Sequence, residues 1–256
     1  MNYLILVVLG AVWGSFANVC IYRIPLGKEI VIKRSFCPNC KSKISWFDNI
    51  PIFSYIFLLG KCRNCKSSIN FQYLIVEVLG IISFLFIFLN FGLSLTSLLL
   101  MILIISFVII FFIDLKNFII PDILTFPLMI IGFIKSFDPN LNTSIFPNFI
   151  NSAIGGIFGY LIIYTVIYFY KTFRKKEGMG LGDAKLMAVI GFWFGWASIP
   201  FVLFIGSIVA LLITLPSLIL SSKRMSSEIP FGPYLITATV IYFFFADFLK
   251  NILTIY

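Results

Sequence analysis

Apolar residues along this chain recur in runs of about 20, the length a helix needs to cross ~30 Å of hydrocarbon, with short polar stretches between them. The runs place helical spans at roughly 2–22, 71–90, 94–114, 118–135, 148–170, 185–198, 200–220 and 231–249. Backbone inside a bilayer must satisfy its own hydrogen bonds, so the pattern predicts an all-α polytopic membrane protein with about eight transmembrane helices. The sixth run is short, and its boundary with the seventh rests on Pro200. The first run lacks a basic start and an obvious small-residue cleavage site, and reads as a retained helix rather than a signal peptide.

One sizeable polar segment interrupts the runs, at 23–70. It divides the chain into a first helix (1–22), a small polar domain (23–70) and a membrane-embedded remainder (71–256). Composition agrees: 61% of residues are hydrophobic and 11% charged, which excludes an ordinary soluble domain. Charge adds a direction. With the N-terminus outside, 17 of the 19 Lys and Arg fall in inward-facing segments, leaving only Lys135 and Lys250 outside. That asymmetry is what the positive-inside rule produces, and it predicts that both termini lie outside. The net charge of +9 is then a topology signal with a secondary attraction to anionic lipid, and no nucleic-acid partner is needed to explain it.

The polar segment carries Cys37 and Cys40, then Cys62 and Cys65, two CxxC pairs about 20 residues apart. Four thiolates at such spacing can close a tetrahedron around Zn2+, and four sulfurs leave no position for a catalytic water, so the site predicted is structural. Neighbouring basic residues favour thiolate, and a cytoplasmic location disfavours disulfides. Cys20 lies in the first run and reads as a packing residue.

The chain has no histidine, which removes Ser–His and Cys–His nucleophiles and His-based catalytic metal sites. Of its ten acids, four fall near the inner membrane boundary: Glu77, Asp114, Asp122 and Asp183. Asp114 ends the third run and Asp183 precedes the sixth in "GMGLGDAKLM"; the charge pattern puts them at one depth although 69 residues separate them. Two carboxyls meeting in a low-dielectric site share a proton, and such a pair can activate water with one member while the other protonates a scissile carbonyl. Gly178, Gly180 and Gly182 suit this by permitting positive φ and close backbone approach. The plainer reading is also open, because an acid at a helix start offsets the macrodipole and glycine is common in membrane helices. Asp122 follows Pro121, an ordinary first-turn position, and Glu77 sits less than two turns into the second run.

Taken together, "GSFANVCIYRIP" (14–25), "CPNC…ISWFDNIPIFSYIFLLGKCRNC", "IDLKNFIIPDILT" (113–125), "GMGLGDAKLM" and "IPFGPYL" (229–235) resemble, in order, the motifs of the prepilin peptidases, or type IV leader peptidases, GxGD-type membrane aspartic proteases. The resemblance implies that Asp114 and Asp183 are the catalytic pair, with Asp122, Gly180 and Gly182 in the supporting loop. It implies that Cys37, Cys40, Cys62 and Cys65 hold the cytoplasmic domain together, and Glu77 matches an acid the family often carries at the start of its second helix. Family substrates are prepilin or pseudopilin precursors of type IV pilus and type II secretion systems, cut at the cytoplasmic face of the bacterial inner membrane after a glycine. Many members also N-methylate the new terminus with S-adenosylmethionine, an activity that enters here by resemblance alone. Two other functions remain open from the residues: an ion or proton-coupled transporter using the intramembrane aspartates, and a non-catalytic scaffold binding partners through its zinc module.

Overall fold

The computed structural model describes residues 3–30, 35–141, 145–175, 179–220 and 229–253. The expected features Lys33, Arg34, Lys176, Glu177, Gly178, Lys223, Arg224 and Glu228 lie outside the described residues. Among those described the structure is helical, with two isolated β-bridges and no longer strand. Its helices are α1 (Tyr3–Arg23), α2 (Phe53–Phe57), α3 (Gln72–Phe91), α4 (Leu95–Asn117), α5 (Asp122–Lys135), α6 (Phe149–Arg174), α7 (Leu181–Phe194), α8 (Ser198–Leu220) and α9 (Gly232–Leu253).

Each predicted apolar run thus becomes a helix, with ends shifted by a few residues. Five are long and apolar enough to cross a membrane: Tyr3–Leu26, Gln72–Phe91, Leu95–Asn117, Phe149–Arg174 and Ser198–Leu215. By contrast, α5 and α7 have 14 residues each, about 21 Å of helix against ~30 Å of hydrocarbon. The described apolar part of α9 is Gly232–Ala246. The structure therefore supports a polytopic membrane protein with five spans by length and composition, and the number eight rests on the sequence pattern.

The chain divides into two compact units, Met1–Ile109 and Ile110–Tyr256. In the first, α1 packs on α3 through small residues. A Cβ on Gly10 would stand 2.7 Å from Ile81 Cα, and one on Gly14 2.7 Å from Glu77 Cα. With no hydrophobic drive between helices in lipid, such close backbone approach supplies the packing. Asn18, one turn further on the same face, donates its side-chain amide to Tyr73 O at 3.0 Å. Arg23 closes α1 by reaching the carbonyls of Glu29 and Ile30 at 3.1 and 2.9 Å.

In the second unit α7 is the hub, contacting α5, α6, α8 and α9. Beyond Asp183 and Lys185 it is apolar all round, as a helix surrounded by other helices must be. Gly155 and Gly159 of α6 admit its backbone: a Cβ on Gly155 would lie 2.6 Å from Gly195 C, and one on Gly159 2.7 Å from Met187 O. Ser152 donates to Phe192 O at 2.7 Å. On the other side Gly132 of α5 makes room for the Trp193 ring, whose Nε1 donates to Leu128 O at 2.8 Å. Lys135, which the charge pattern assigns to the outer side, is buried at this end of the package. Its ammonium donates to Trp193 O at 3.1 Å and lies 3.9 Å from the Phe146 ring centre. A cation at a helix C-terminus is stabilised by the last carbonyls, which accounts for its place without a carboxylate.

Candidate active site and cysteine cluster

The hub helix carries Asp183 at its third position, where the carboxylate turns back and accepts the amide of Gly180 at 3.3 Å. Asp114, three residues before the end of α4, is held by a different helix: its Oδ2 accepts the amide of Gly232, the first residue of α9, at 3.0 Å. Both acids are buried, and Ile120 packs against the glycine beside each of them. Each therefore sits at a helix N-terminus, where unpaired amides and the macrodipole favour negative charge. This arrangement explains how two carboxylates are tolerated among apolar side chains.

Ile120 packs between the two motifs. A Cβ on Gly182 would come 2.9 Å from Ile120 Cβ, and one on Gly232 3.1 Å from Ile120 Cδ1 and 2.6 Å from Asp114 Oδ2. Gly180 and Gly182 do not use the positive φ that glycine permits. Gly180 has φ −82° and ψ 149°, and neither it nor Gly182 is among the positive-φ residues. Close packing accounts for Gly182, whereas a Cβ on Gly180 would meet nothing nearer than 3.8 Å. Gly232 belongs to the site, yet the sequence marks it only as part of "IPFGPYL"; a glycine at a helix start is the available signal.

Asp122 opens α5, as its place after Pro121 predicts. Its two oxygens receive the Lys185 ammonium at 2.7 and 2.8 Å. Lys185 also lies 5.3 Å from the Phe126 ring centre. The pair joins the first turn of α5 to the second turn of α7, so Asp122 is engaged by a cation. Lys185, counted in the sequence only as a topology charge, is thus a further member of this neighbourhood.

The four cysteines meet as predicted, with their Sγ atoms all within 4.8 Å of one another and Cys37 and Cys65 at 3.8 Å. Zn–S bonds of about 2.3 Å at tetrahedral angles place sulfurs about 3.8 Å apart, so the donor set fits a tetrahedral thiophilic ion. The two knuckles repeat one structure, which the paired "NCKS" sequences could have announced. Cys37 N–H donates to Ser42 O at 2.9 Å and Lys41 N–H to Cys37 O at 2.9 Å; Cys62 and Lys66 repeat this at 2.8 and 3.0 Å. The residue after each second cysteine takes positive φ, Lys41 at 59° and Lys66 at 57°. Hydrogen bonds from the Ser67 hydroxyl and backbone lower the Cys65 thiol to about 6, favouring the ligating thiolate. Arg63 braces the module by a two-pronged bond to Asp48 at 2.6 and 2.8 Å, which holds the Asp48 carboxyl below its usual range. Cys20 is buried in α1, away from the cluster.

Glu77 gains the partner that the sequence could not supply. Its Oε2 accepts the amide of Ile52 at 2.7 Å. Ile52 has φ 64° and ψ −55°, and Phe53 N–H donates to Pro51 O at 2.6 Å across it. This is the rare left-handed γ-turn, strained for a β-branched residue and sustained only by its surroundings.

Comparison with known proteins places these features together. Residues 8–91 match the model described as the bacterial peptidase A24 N-terminal domain, and residues 101–215 match that of the type IV leader peptidase family. The chain is 36% identical to a prepilin leader peptidase/N-methyltransferase of Vibrio cholerae over 94% of its own length and 96% of the relative's. It is 31% identical to one of Pseudomonas aeruginosa (94% and 89%) and 32% identical to one of Aeromonas hydrophila (91% and 87%). No solved structure matches the chain.

Proposed function

The chain belongs to the type IV leader peptidase family, and from that premise we propose that it is a membrane aspartic endopeptidase removing the short leader of prepilin-like precursors, with Asp114 and Asp183 as its acid pair. The observation that carries the residue assignment is the convergence of the two buried carboxyls, one on the α9 amide of Gly232 and the other on the Gly180 amide that starts α7. In this reading the pair titrates as a unit and holds one proton between its members. The ionised carboxyl takes a proton from water, the oxygen attacks the scissile carbonyl, and the protonated carboxyl donates to the carbonyl oxygen. Collapse of the tetrahedral species then returns a proton to the leaving amine. Gly232 fixes one oxygen of Asp114, and Gly182 lets Ile120 close against the loop.

The four cysteines would hold a structural Zn2+, which supplies cross-linking of the two knuckles. Asp122, with Gly180 and Gly182, supports the loop around the acids. The topology follows the charge pattern: a bacterial inner-membrane protein of about eight spans, termini outside and acids at the cytoplasmic face. The divisions 1–22, 23–70 and 71–256 separate the first helix, the zinc domain and the protease core. The relatives' names include N-methyltransferase. The described residues hold no glycine-rich strand–helix unit of the kind that cradles a nucleotide cofactor. A transporter reading finds no support in these relatives.

The test incubates detergent-solubilised protein with a prepilin and follows intact mass. Leader loss with wild type, slowed at least about 10²-fold with Asp114→Asn or Asp183→Asn, is the expected result. Cleavage by either variant at the wild-type rate would remove that residue from the pair.

A further inference from the structure

The short helix α2 is built inside out. Phe53, Ile56 and Phe57 fall at i, i+3 and i+4 and share one face. That face is open, with exposures of 62%, 58% and 82%. Ser54, by contrast, is buried and donates its hydroxyl to Phe47 O at 2.9 Å, while the Tyr55 ring lies against Gly60 and Phe71. A helical turn bathed in water arranges itself the other way. Leu59, 83% exposed, continues the apolar surface. These exposures match those of the lipid-facing side chains of the long helices, such as Leu4 at 71% and Leu89 at 66%.

A second observation gives this surface its depth. Glu77 lies in the second turn of α3, which begins at Gln72, so it sits about 8 Å along a membrane span. Its carboxylate is buried and holds the amide of Ile52, the residue immediately before α2. The strained γ-turn at Ile52 is thereby pinned at the level of the first turns of a span. Charge agrees with a lipid neighbour: residues 35–70 contain Lys41, Lys43, Lys61, Arg63 and Lys66 against a single acid, Asp48, already bound to Arg63. A basic excess in the segment that carries an exposed aromatic and aliphatic face is the chemistry of an interfacial anchor on anionic phospholipid.

We infer that the segment from Ile50 to Leu59 is such an anchor: Phe53, Ile56 and Phe57 enter the boundary between phospholipid headgroups and acyl chains in the leaflet where α1 and α3 begin their hairpin, and Glu77 positions them there. The four-cysteine module is thus held at the bilayer surface by its own loop as well as by its two flanking spans. Glu77 acts through the Ile52 amide, as a positioning residue.

The experiment reconstitutes the full chain in vesicles of phosphatidylethanolamine and phosphatidylglycerol containing a phospholipid with a diazirine near the acyl carbonyl. After photolysis, lipid adducts are mapped by peptide, with residues of α1 and α3 as internal standards and metal content as a check on the module. Adducts on the 50–59 peptide comparable to those on α3 are expected. Phe57→Ser should lower them several-fold. Glu77→Ala should lower them by about tenfold, whereas Glu77→Gln, which keeps an acceptor oxygen for Ile52, should preserve them. Absence of adducts on 50–59 while α1 and α3 label normally overturns the anchor. Equal yields from wild type and Glu77→Ala at unchanged metal content overturn the positioning role.

Discussion

Two regions of this molecule gather reactive side chains by opposite means. In Met1–Ile109 the most distant cysteines of the cluster are 28 residues apart in the chain, and each knuckle is shaped by hydrogen bonds within six residues. In Ile110–Tyr256 Asp114 finds its amide partner 118 residues away, and Asp183 is placed by a helix that four others surround. The first site is a local motif whose geometry travels with its sequence. The second is a product of helix packing, and side chains that touch no acid decide where the acids stand. Damage should accordingly be confined in the first region and spread in the second.

The strongest test removes the reactive groups themselves. Asp114→Asn or Asp183→Asn should reduce leader cleavage by roughly 10²- to 10⁴-fold, the contribution of a positioned acid or base. Cys62→Ser with Cys65→Ser should abolish metal binding, measured by metal analysis of purified protein, yet leave the acid pair's helices folded. If the cysteine change depresses cleavage as deeply as the aspartate changes do, the module's metal serves the reaction and the contrast between a local and a dispersed site fails.

Next in size are substitutions that act through packing. A Cβ on Gly191 would run into the Gly155 carbonyl, with no flexible side chain to yield. Gly191→Ala should destabilise the second unit by about 1–3 kcal/mol or more, read by thermal unfolding in detergent. Gly92→Ala, with nothing within 4 Å but φ 59° and ψ −154°, a conformation essentially confined to glycine, tests backbone strain without collision and should cost about 1–3 kcal/mol in the first unit. No loss at Gly191→Ala would mean that α6 and α7 relax apart easily.

Gly232→Ala sharpens the comparison at the site itself. Its Cβ would stand 2.6 Å from Asp114 Oδ2, so the carboxylate must swing away from the α9 amide. A shift of about 1 Å in a reacting group costs on the order of 10²-fold, and cleavage should fall by that factor while metal content is unchanged. Normal cleavage would mean that the Gly232 bond orients nothing the reaction uses.

The same contrast explains what could be read in advance. The apolar runs gave every long helix because bilayer length and backbone satisfaction act residue by residue along the chain. The CxxC pairs gave the cluster because their ligands are local. The burial of Lys135 was not legible because its partner is the carbonyl of Trp193, 58 residues on, and no periodicity records a carbonyl. Glu77 had no visible partner for the same reason, since Ile52 offers only backbone. Of the two freedoms the loop glycines offer, Gly182 uses close approach, against Ile120 across the packing, while helix α7 starts in ordinary extended geometry at Gly180. Asp114 and Asp183 could be paired by depth and by resemblance, while Gly232, which holds one of them, became visible only with the fold.

The smallest effect is expected at the ion pair that borders the acids. Asp122 and Lys185 make short, paired contacts, but the Asp122 side chain is 55% exposed. Exposed pairs contribute about 0.2–1 kcal/mol, because water screens the attraction and fixing two side chains costs entropy. A double-mutant cycle with Asp122→Asn and Lys185→Met should therefore give a coupling in that range, shrinking with added salt. Cleavage should change only a few-fold in each variant and should recover when the charges are exchanged in Asp122→Lys with Lys185→Asp. A loss approaching that of Gly232→Ala, restored by the exchange, would assign the pair a share in aligning α5 with α7 beneath the acids. The dispersed character of the second region would then reach its surface, where electrostatics alone predicts almost nothing.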